Sequence, residues 1–169
     1  NVFQLHGACR DGTVLFRKKL TRPQLKKFMS EQEPCLVAME ACGTSHYWAR
    51  ELSEIGHDVK LIPPIYVKPF VKRHKNDAAD AEAITEAALR PNMSFVEPKS
   101  ADTQAITMMM RTRDQLISQR TATVNALRSH LAEFGLIAPV GLKNVEQLRT
   151  RIEEAEDIPA LVTEMVDMH

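Results

Sequence analysis

The chain has 169 residues and a mass of 19.1 kDa, enough for one core of ordinary domain size with a helical appendage. Its 44% hydrophobic and 26% charged residues exclude a disordered or collagen-like chain, and no apolar run approaches a membrane span or a secretory signal, so a cytoplasmic protein is expected. The formal net charge of zero conceals a split: residues 1–75 carry 13 Lys and Arg against 7 Asp and Glu, which allows a local phosphate-binding face.

Val2, Leu5 and Ala8 belong to a short β-leaning run ended by the turn signal Arg10-Asp11-Gly12. Thr13 to Leu20 then alternates Val14 and Phe16 with Leu15 and Arg17, which predicts an antiparallel hairpin. Thr21, two residues before Pro23, is placed to cap a helix carrying Leu25, Phe28 and Met29 through Gln32. The apolar run Cys35-Leu36-Val37-Ala38-Met39, between Pro34 and Glu40, has the length and composition of a strand buried on both faces. Thr44 or Ser45 caps a helix with Trp48, Leu52 and Ile55 inward, stopped by Gly56. Val59, Leu61 and Ile62 form a further strand ended by Pro63-Pro64, and Ile65 to Lys75 reads as a basic, irregular stretch.

Asn76 is placed to cap a helix from Asp77 to about Leu89, with Ala81, Ile84 and Ala88 inward. After a linker, Ser100 caps one long helix in which Ile106, Met110, Ile117, Val124, Leu127, Leu131 and Phe134 keep helical spacing up to Gly135. Arg113 and Arg120 interrupt that seam, so a coiled-coil partner is allowed without being required. Met108-Met109-Met110 reads as core packing. Asn144 to His169 is acidic and is expected to pack back on the long helix as two pieces divided at Pro159. Arg111, Arg113, Arg120 and Arg128 then serve either nucleic acid or the acidic tail at Glu153, Glu154, Glu156 and Asp157, the tail being the preferred reading. The element order implies an α/β fold, a mixed sheet with flanking helices over 1–98 and a helical, coiled-coil-like extension over 99–169.

Chemistry-bearing residues are few. Glu40 closes the most buried strand, where open α/β sheets place ligands, although a carboxylate that merely ends a strand and pairs with a surface lysine has the same position. Asp77 and Asp80, three apart on a helix, project from one face near its amino end and could share a cation; capping alone also accounts for acids in a first turn. Oxygen-only ligands suit Mg²⁺ or Mn²⁺. His6, His46, His57, His74, His130 and His169 show no HExxH or paired spacing, and Cys9, Cys35 and Cys42 show no CxxC spacing, so zinc has little support and the cysteines read as buried, reduced thiols.

The hairpin, the strand ending in Val37-Ala38-Met39-Glu40, and Lys75-Asn76-Asp77-Ala78-Ala79-Asp80-Ala81 together resemble the DEDD transposases of insertion sequences, whose catalytic domain is RuvC-like and RNase H-like. The likeness extends to Asn1-Val2-Phe3-Gln4-Leu5-His6, Glu40-Ala41-Cys42-Gly43, Trp48, Ile62-Pro63-Pro64 and the helix after Ser100, with residues 76–81 its most specific part. The resemblance implies an RNase H-like fold and Mg²⁺ (or Mn²⁺) chemistry on DNA, with Glu40, Asp77 and Asp80 as catalytic metal ligands. It also implies a guide RNA encoded by the element and a homo-oligomer. The family's first aspartate is expected a few residues before Asn1, so the chain is read as a fragment that is inactive by itself. Nothing after Pro139 is similar to the family's serine-bearing domain, and Ser45, Ser53 and Ser129 are not candidates to replace it. Lys68, Lys72, Arg73 and Lys75, with His74, would suit a phosphate backbone beside the metal site, a solvated basic loop being the plainer alternative. Two further readings stand beside this one: a nucleic-acid-binding and oligomerisation module without catalysis, and an RNase H-like junction nuclease.

Overall fold

The computed structural model describes residues 2–71, 77–155 and 158–167. Packing divides the chain into two units, Asn1–Thr103 and Gln104–His169.

The first unit opens with the expected hairpin. Strands β1 (Val2–Ala8) and β2 (Val14–Thr21) pair antiparallel, with Val2 opposite Thr21 and His6 opposite Arg17. Gly12 takes φ +89° in the turn, a conformation that suits glycine, and Asp11 accepts the Thr13 N–H at 2.9 Å. Helix α1 (Arg22–Ser30) starts at Thr21, whose backbone N–H donates to the Gln24 side chain at 2.9 Å, and its apolar stripe buries Leu25 and Met29. Strand β3 (Leu36–Glu40) leads to helix α2 (Ser45–Glu54), which buries Trp48, Ala49 and Leu52 and is followed by Gly56 at φ +100°.

Strand β4 (Asp58–Ile62) pairs parallel with β3, Leu36 opposite Asp58 and Glu40 opposite Ile62. Here one expectation is corrected: β3 is only half-buried along Val37–Glu40, with Leu36 47% exposed, whereas β4 is the buried strand. The cause is pairing. On its other edge β4 receives the Val96 N–H at the Leu61 carbonyl, 2.8 Å, while β3 has a ladder on one side among the described residues. Alternation then sends Val59 and Leu61 into a core with α1 and α2, and Ile62 into a second core on the opposite face. That second core holds Val67 from α3 (Pro64–Val67), a single turn, and Ala83 and Ala87 from α4 (Asp77–Ala88). The stretch after β4 is therefore more ordered than its sequence suggests, since a 3₁₀ turn, Lys68–Phe70, follows α3.

Helix α4 packs against β1, β3, β4 and that 3₁₀ turn. Its buried row is Ala83 and Ala87 rather than Ala81, Ile84 and Ala88, which are half-buried. In a helix so rich in alanine the apolar side chains mark no single face, and the smallest i, i+4 row makes the closest approach. Helices thus cover both faces of the strands, a mixed α/β arrangement. Asn76, the expected cap of α4, lies outside the described residues.

Helix α5 (Ala101–Ala132) begins where Ser100 Oγ accepts the Thr103 N–H at 3.1 Å. Within the second unit, Leu127 and Leu131 of α5 build a core with Ala138, with Leu148 and Ile152 of α6 (Val145–Glu153), and with Val162 of α7 (Ala160–Asp167). The expected seam holds only there. Ile106, Met110 and Phe134 are exposed, and so are Met108 and Met109, so the methionines do not fill a core. Arg128 is corrected too: its guanidinium donates to the carbonyls of Ala138 and Pro139 instead of meeting the acidic tail. Arg113 pairs with its neighbour Asp114, and Glu153 pairs with Arg149. Glu156 and Asp157 lie outside the described residues. The three cysteines are free, as expected, but exposed rather than buried.

Candidate functional site

The carboxyl ends of β3 and β4 coincide, because Glu40 and Ile62 are register partners, and the chain leaves both strands along the same edge of the sheet. Glu40 is half-buried there, and the next residue donates its N–H to the Ile62 carbonyl at 2.8 Å, extending the ladder by one bond. The loop beyond is tied down locally. Cys42 N–H reaches the Glu40 carbonyl at 2.9 Å, Ser45 Oγ donates to the Cys42 carbonyl at 2.8 Å, and Thr44 sits at φ +73°. A β-branched residue in the left-handed region is strained, and the strain lies four residues past Glu40. Although Cys42 is exposed, desolvation by the surrounding chain pushes its thiol up from the ordinary range, and the nearby Glu40 charge pushes it further in the same direction.

Asp77 and Asp80 occupy the first turn of α4. Asp77 is exposed. Asp80 is half-buried, and its Oδ1 is buried without a hydrogen-bond partner among the described residues. An acceptor removed from water and given no donor raises the energy of the fold, and the positive end of the helix dipole offsets only part of that. A cation is the group such an oxygen lacks, and an all-oxygen donor set matches Mg²⁺ or Mn²⁺ better than zinc. Asp80 therefore fits a divalent metal. Among the described residues, however, no three His, Cys, Asp or Glu side chains stand together as a metal-holding group, so Glu40, Asp77 and Asp80 do not form a ready-made cage. Mg²⁺ commonly takes one or two carboxylates and completes its shell with water and substrate phosphate.

Of the basic residues singled out in the sequence, Lys68 is exposed on the 3₁₀ turn against which α4 packs. Lys72, Arg73 and Lys75, with His74, lie outside the described residues. Spacing carries no sign of several buried polar groups. His57 is buried and bridges two backbone groups: its Nδ1 accepts the Cys35 N–H at 3.2 Å and its Nε2 lies 2.9 Å from the Met29 carbonyl. Ser45 is likewise structural, its hydroxyl spent on the Cys42 carbonyl. His6 Nδ1 is buried without a hydrogen-bond partner among the described residues, at a groove of about 470 Å³ between the hairpin turn and the later turns of α4, lined by Arg10, Glu82, Thr85 and Arg90 among others. None of the three carboxylates lines that groove.

The family model of the IS110-type DEDD transposases, described as Transposase, matches residues 6–135. The chain belongs to this transposase family. It is 44% identical over 169 residues to the transposase for insertion sequence element IS1328 of Yersinia enterocolitica, covering all of this chain and 51% of that one. It is 39% identical over 143 residues to the transposase for insertion sequence element IS1111A of Coxiella burnetii, covering 85% of this chain and 39% of that one. A protein of Pseudomonas aeruginosa named Probable family 20 transposase is 56% identical over 137 residues, 81% of this chain and 40% of that one. The transposase chain thus spans between 39% and 51% of the length of the curated relatives it matches. No described helix is long and apolar enough to cross a membrane.

Proposed function

We propose that this chain carries the metal-dependent, DNA-cleaving part of an insertion-sequence transposase, with an RNase H-like (RuvC-like) domain over 1–98 and a helical, coiled-coil-like extension over 99–169. Glu40, Asp77 and Asp80 hold Mg²⁺ or Mn²⁺ together with the family's first aspartate, which is expected before Asn1. The observation that carries the reading is the partnerless, buried Oδ1 of Asp80 in the first turn of a helix that packs on the strand ending in Glu40. Bound there, the metal supplies Lewis-acid stabilisation of a phosphoryl oxygen and an activated water. Asp80 contributes an oxygen, Oδ1, that no donor among the described residues engages, which leaves it available to the cation. Glu40, at the shared edge of two parallel strands, contributes a second oxygen ligand from a separate element. Lys68, Lys72, Arg73 and Lys75 hold the approaching phosphate backbone.

The partners of this reading are DNA, a guide RNA encoded by the element, and further copies of the chain, with a cytoplasmic site of action. A homo-oligomer accords with the exposed Ile106, Met109 and Leu116 on α5. Titration with Mn²⁺ of the chain extended at its amino end to carry the family's first aspartate, followed by electron paramagnetic resonance, tests the ligands. Asp80→Asn and Glu40→Gln are expected to leave the ion free in solution while circular dichroism stays native. Wild-type Mn²⁺ binding in both variants would remove the carboxylate site, and with it the catalytic reading.

A further inference from the structure

The basic excess of the first half is concentrated where the proposed metal chemistry does not use it. Residues 14–30, which span β2 and α1, contain six Lys and Arg and no Asp or Glu. All six are exposed. Arg17 and Lys26 are matched by carboxylates, Glu82 at 3.4 Å and Glu51 at 2.5 Å. Lys18, Lys19, Arg22 and Lys27 have no carboxylate partner among the described residues. Across the hairpin ladder Lys18 and Lys19 oppose Leu5 and Gln4, so the sheet does not neutralise them either. Arg22 opens α1, a helix without an acid in its first turn, where a cation opposes the macrodipole.

Two of these cations are held in place by rings that leave their charge intact. Lys18 Nζ lies 4.4 Å from the Phe28 ring centroid, and the Arg22 guanidinium lies 5.5 Å from Trp48 and 6.0 Å from Tyr47. Tyr47 is 44% exposed beside Arg22, with its ring braced edge-on by Trp48 at 5.3 Å. Lys19 points to the opposite face of the hairpin from Lys18, the face of Arg17, so the cations gathered on the α1 side are Lys18, Arg22 and Lys27. Folding gains little from three unmatched cations there, whereas positioned cations next to a fixed, exposed aromatic ring match a phosphate backbone whose bases are free to stack.

We infer that the β2–α1 surface, with Tyr47, binds a single-stranded nucleic acid through its phosphodiester backbone and one stacked base. This surface shares no residue with the segment 68–75 or with the three carboxylates. It does not depend on metal binding, so either assignment can fail alone.

The test uses the full 169-residue chain and fluorescence anisotropy on single-stranded RNA, single-stranded DNA and duplex DNA over a range of salt. Removing three phosphate contacts in K18Q/R22Q/K27Q is expected to lower the slope of log affinity against log salt by about 2 on a single strand. A control triple, K60Q/K143Q/R149Q, whose first and last cations already face carboxylates, is expected to leave it unchanged. Tyr47→Ala is expected to weaken single-strand binding about five- to a hundredfold and duplex binding not at all. Arg22→Lys, which keeps the charge, separates a lost contact from a lost fold. The RNA and DNA arms tell which strand is the natural occupant, and a slope loss on either supports the surface. Wild-type binding by the β2–α1 triple, or an equal loss in the control, overturns it; an equal Tyr47→Ala effect on duplex overturns the single-strand assignment.

Discussion

Replacing Asp80 with alanine should make the metal-free chain more stable. The wild-type fold buries Oδ1 without a donor, and leaving a buried acceptor unsatisfied costs about 1–3 kcal/mol. Because the residue is only half-buried, the lower part of that range applies. Against it stands the favourable interaction of a carboxylate with the first turn of α4, worth about 0.3–1 kcal/mol at a helix amino end. The difference leaves a gain of roughly 0.5 kcal/mol, and for a unit of the size of Asn1–Thr103 that raises the melting temperature by about 2–4 °C. Divalent metal reverses the order. A ligand at a hundred times its dissociation constant stabilises the folded chain by about 2.7 kcal/mol, and only the wild type keeps all three proposed carboxylates. Calorimetric melts in chelator and in excess Mn²⁺ should therefore cross: Asp80→Ala higher in chelator, wild type higher in Mn²⁺. A variant that melts lower in chelator would show that Oδ1 has a structural partner. Parallel shifts of both proteins in Mn²⁺ would show that the ion binds elsewhere.

Gly7→Ala should destabilise the hairpin by about 1–3 kcal/mol in urea denaturation, since its Cβ would meet the Phe16 ring at 2.4 Å while that ring is held edge-on by Phe28. His57→Leu should cost about 1–3 kcal/mol by stranding the Cys35 N–H, the Met29 carbonyl keeping the Gln32 N–H, and an unchanged urea midpoint would mean that water replaces the ring. The Lys26 ammonium holds the Glu51 carboxyl below its ordinary range, first by a hydrogen bond and also by its charge. That pair's contribution is present above the unfolded carboxyl range and lost as pH falls through the lowered one, so Glu51→Gln should destabilise at pH 7 and stop doing so in strong acid. Partial burial holds the Cys35 thiol above its ordinary range, so its alkylation, followed by peptide mass spectrometry, should lag behind that of a free thiol until the solution is well alkaline.

Much of the first unit is legible in the sequence because its signals are local. The Thr21 cap, the Gly12 turn and the Gly56 stop depend on residues within a few positions, and each lies where its chemistry demands. Burial depends on partners far along the chain and is less legible. Cys35-Leu36-Val37-Ala38-Met39 is apolar enough for a central strand, yet the strand bonded on both edges is β4, because Val96, which follows α4 in the chain, returns to bridge Leu61. No local pattern around Leu61 announces that return. The same holds for α5, whose helical spacing is continuous while its burial is confined to Leu127 and Leu131, where α6 and α7 supply the partners.

The carboxylates divide along the same line. Helical spacing alone puts Asp77 and Asp80 on one face of α4, and that much needs no structure. What separates them is docking: α4 lies against β1, β3, β4 and the 3₁₀ turn, which leaves Asp77 exposed and closes over Oδ1 of Asp80. Capping explains an exposed acid in a first turn, but it does not explain a buried one without a donor, because a cap gains its energy from the N–H it accepts. The costly oxygen is thus the one to which a ligand role is proposed. If the proposed metal is completed by substrate phosphate, stability and metal binding should trade against each other at Asp80 and not at Asp77, so that Asp77→Ala fails to raise the chelator melt while still weakening Mn²⁺ binding.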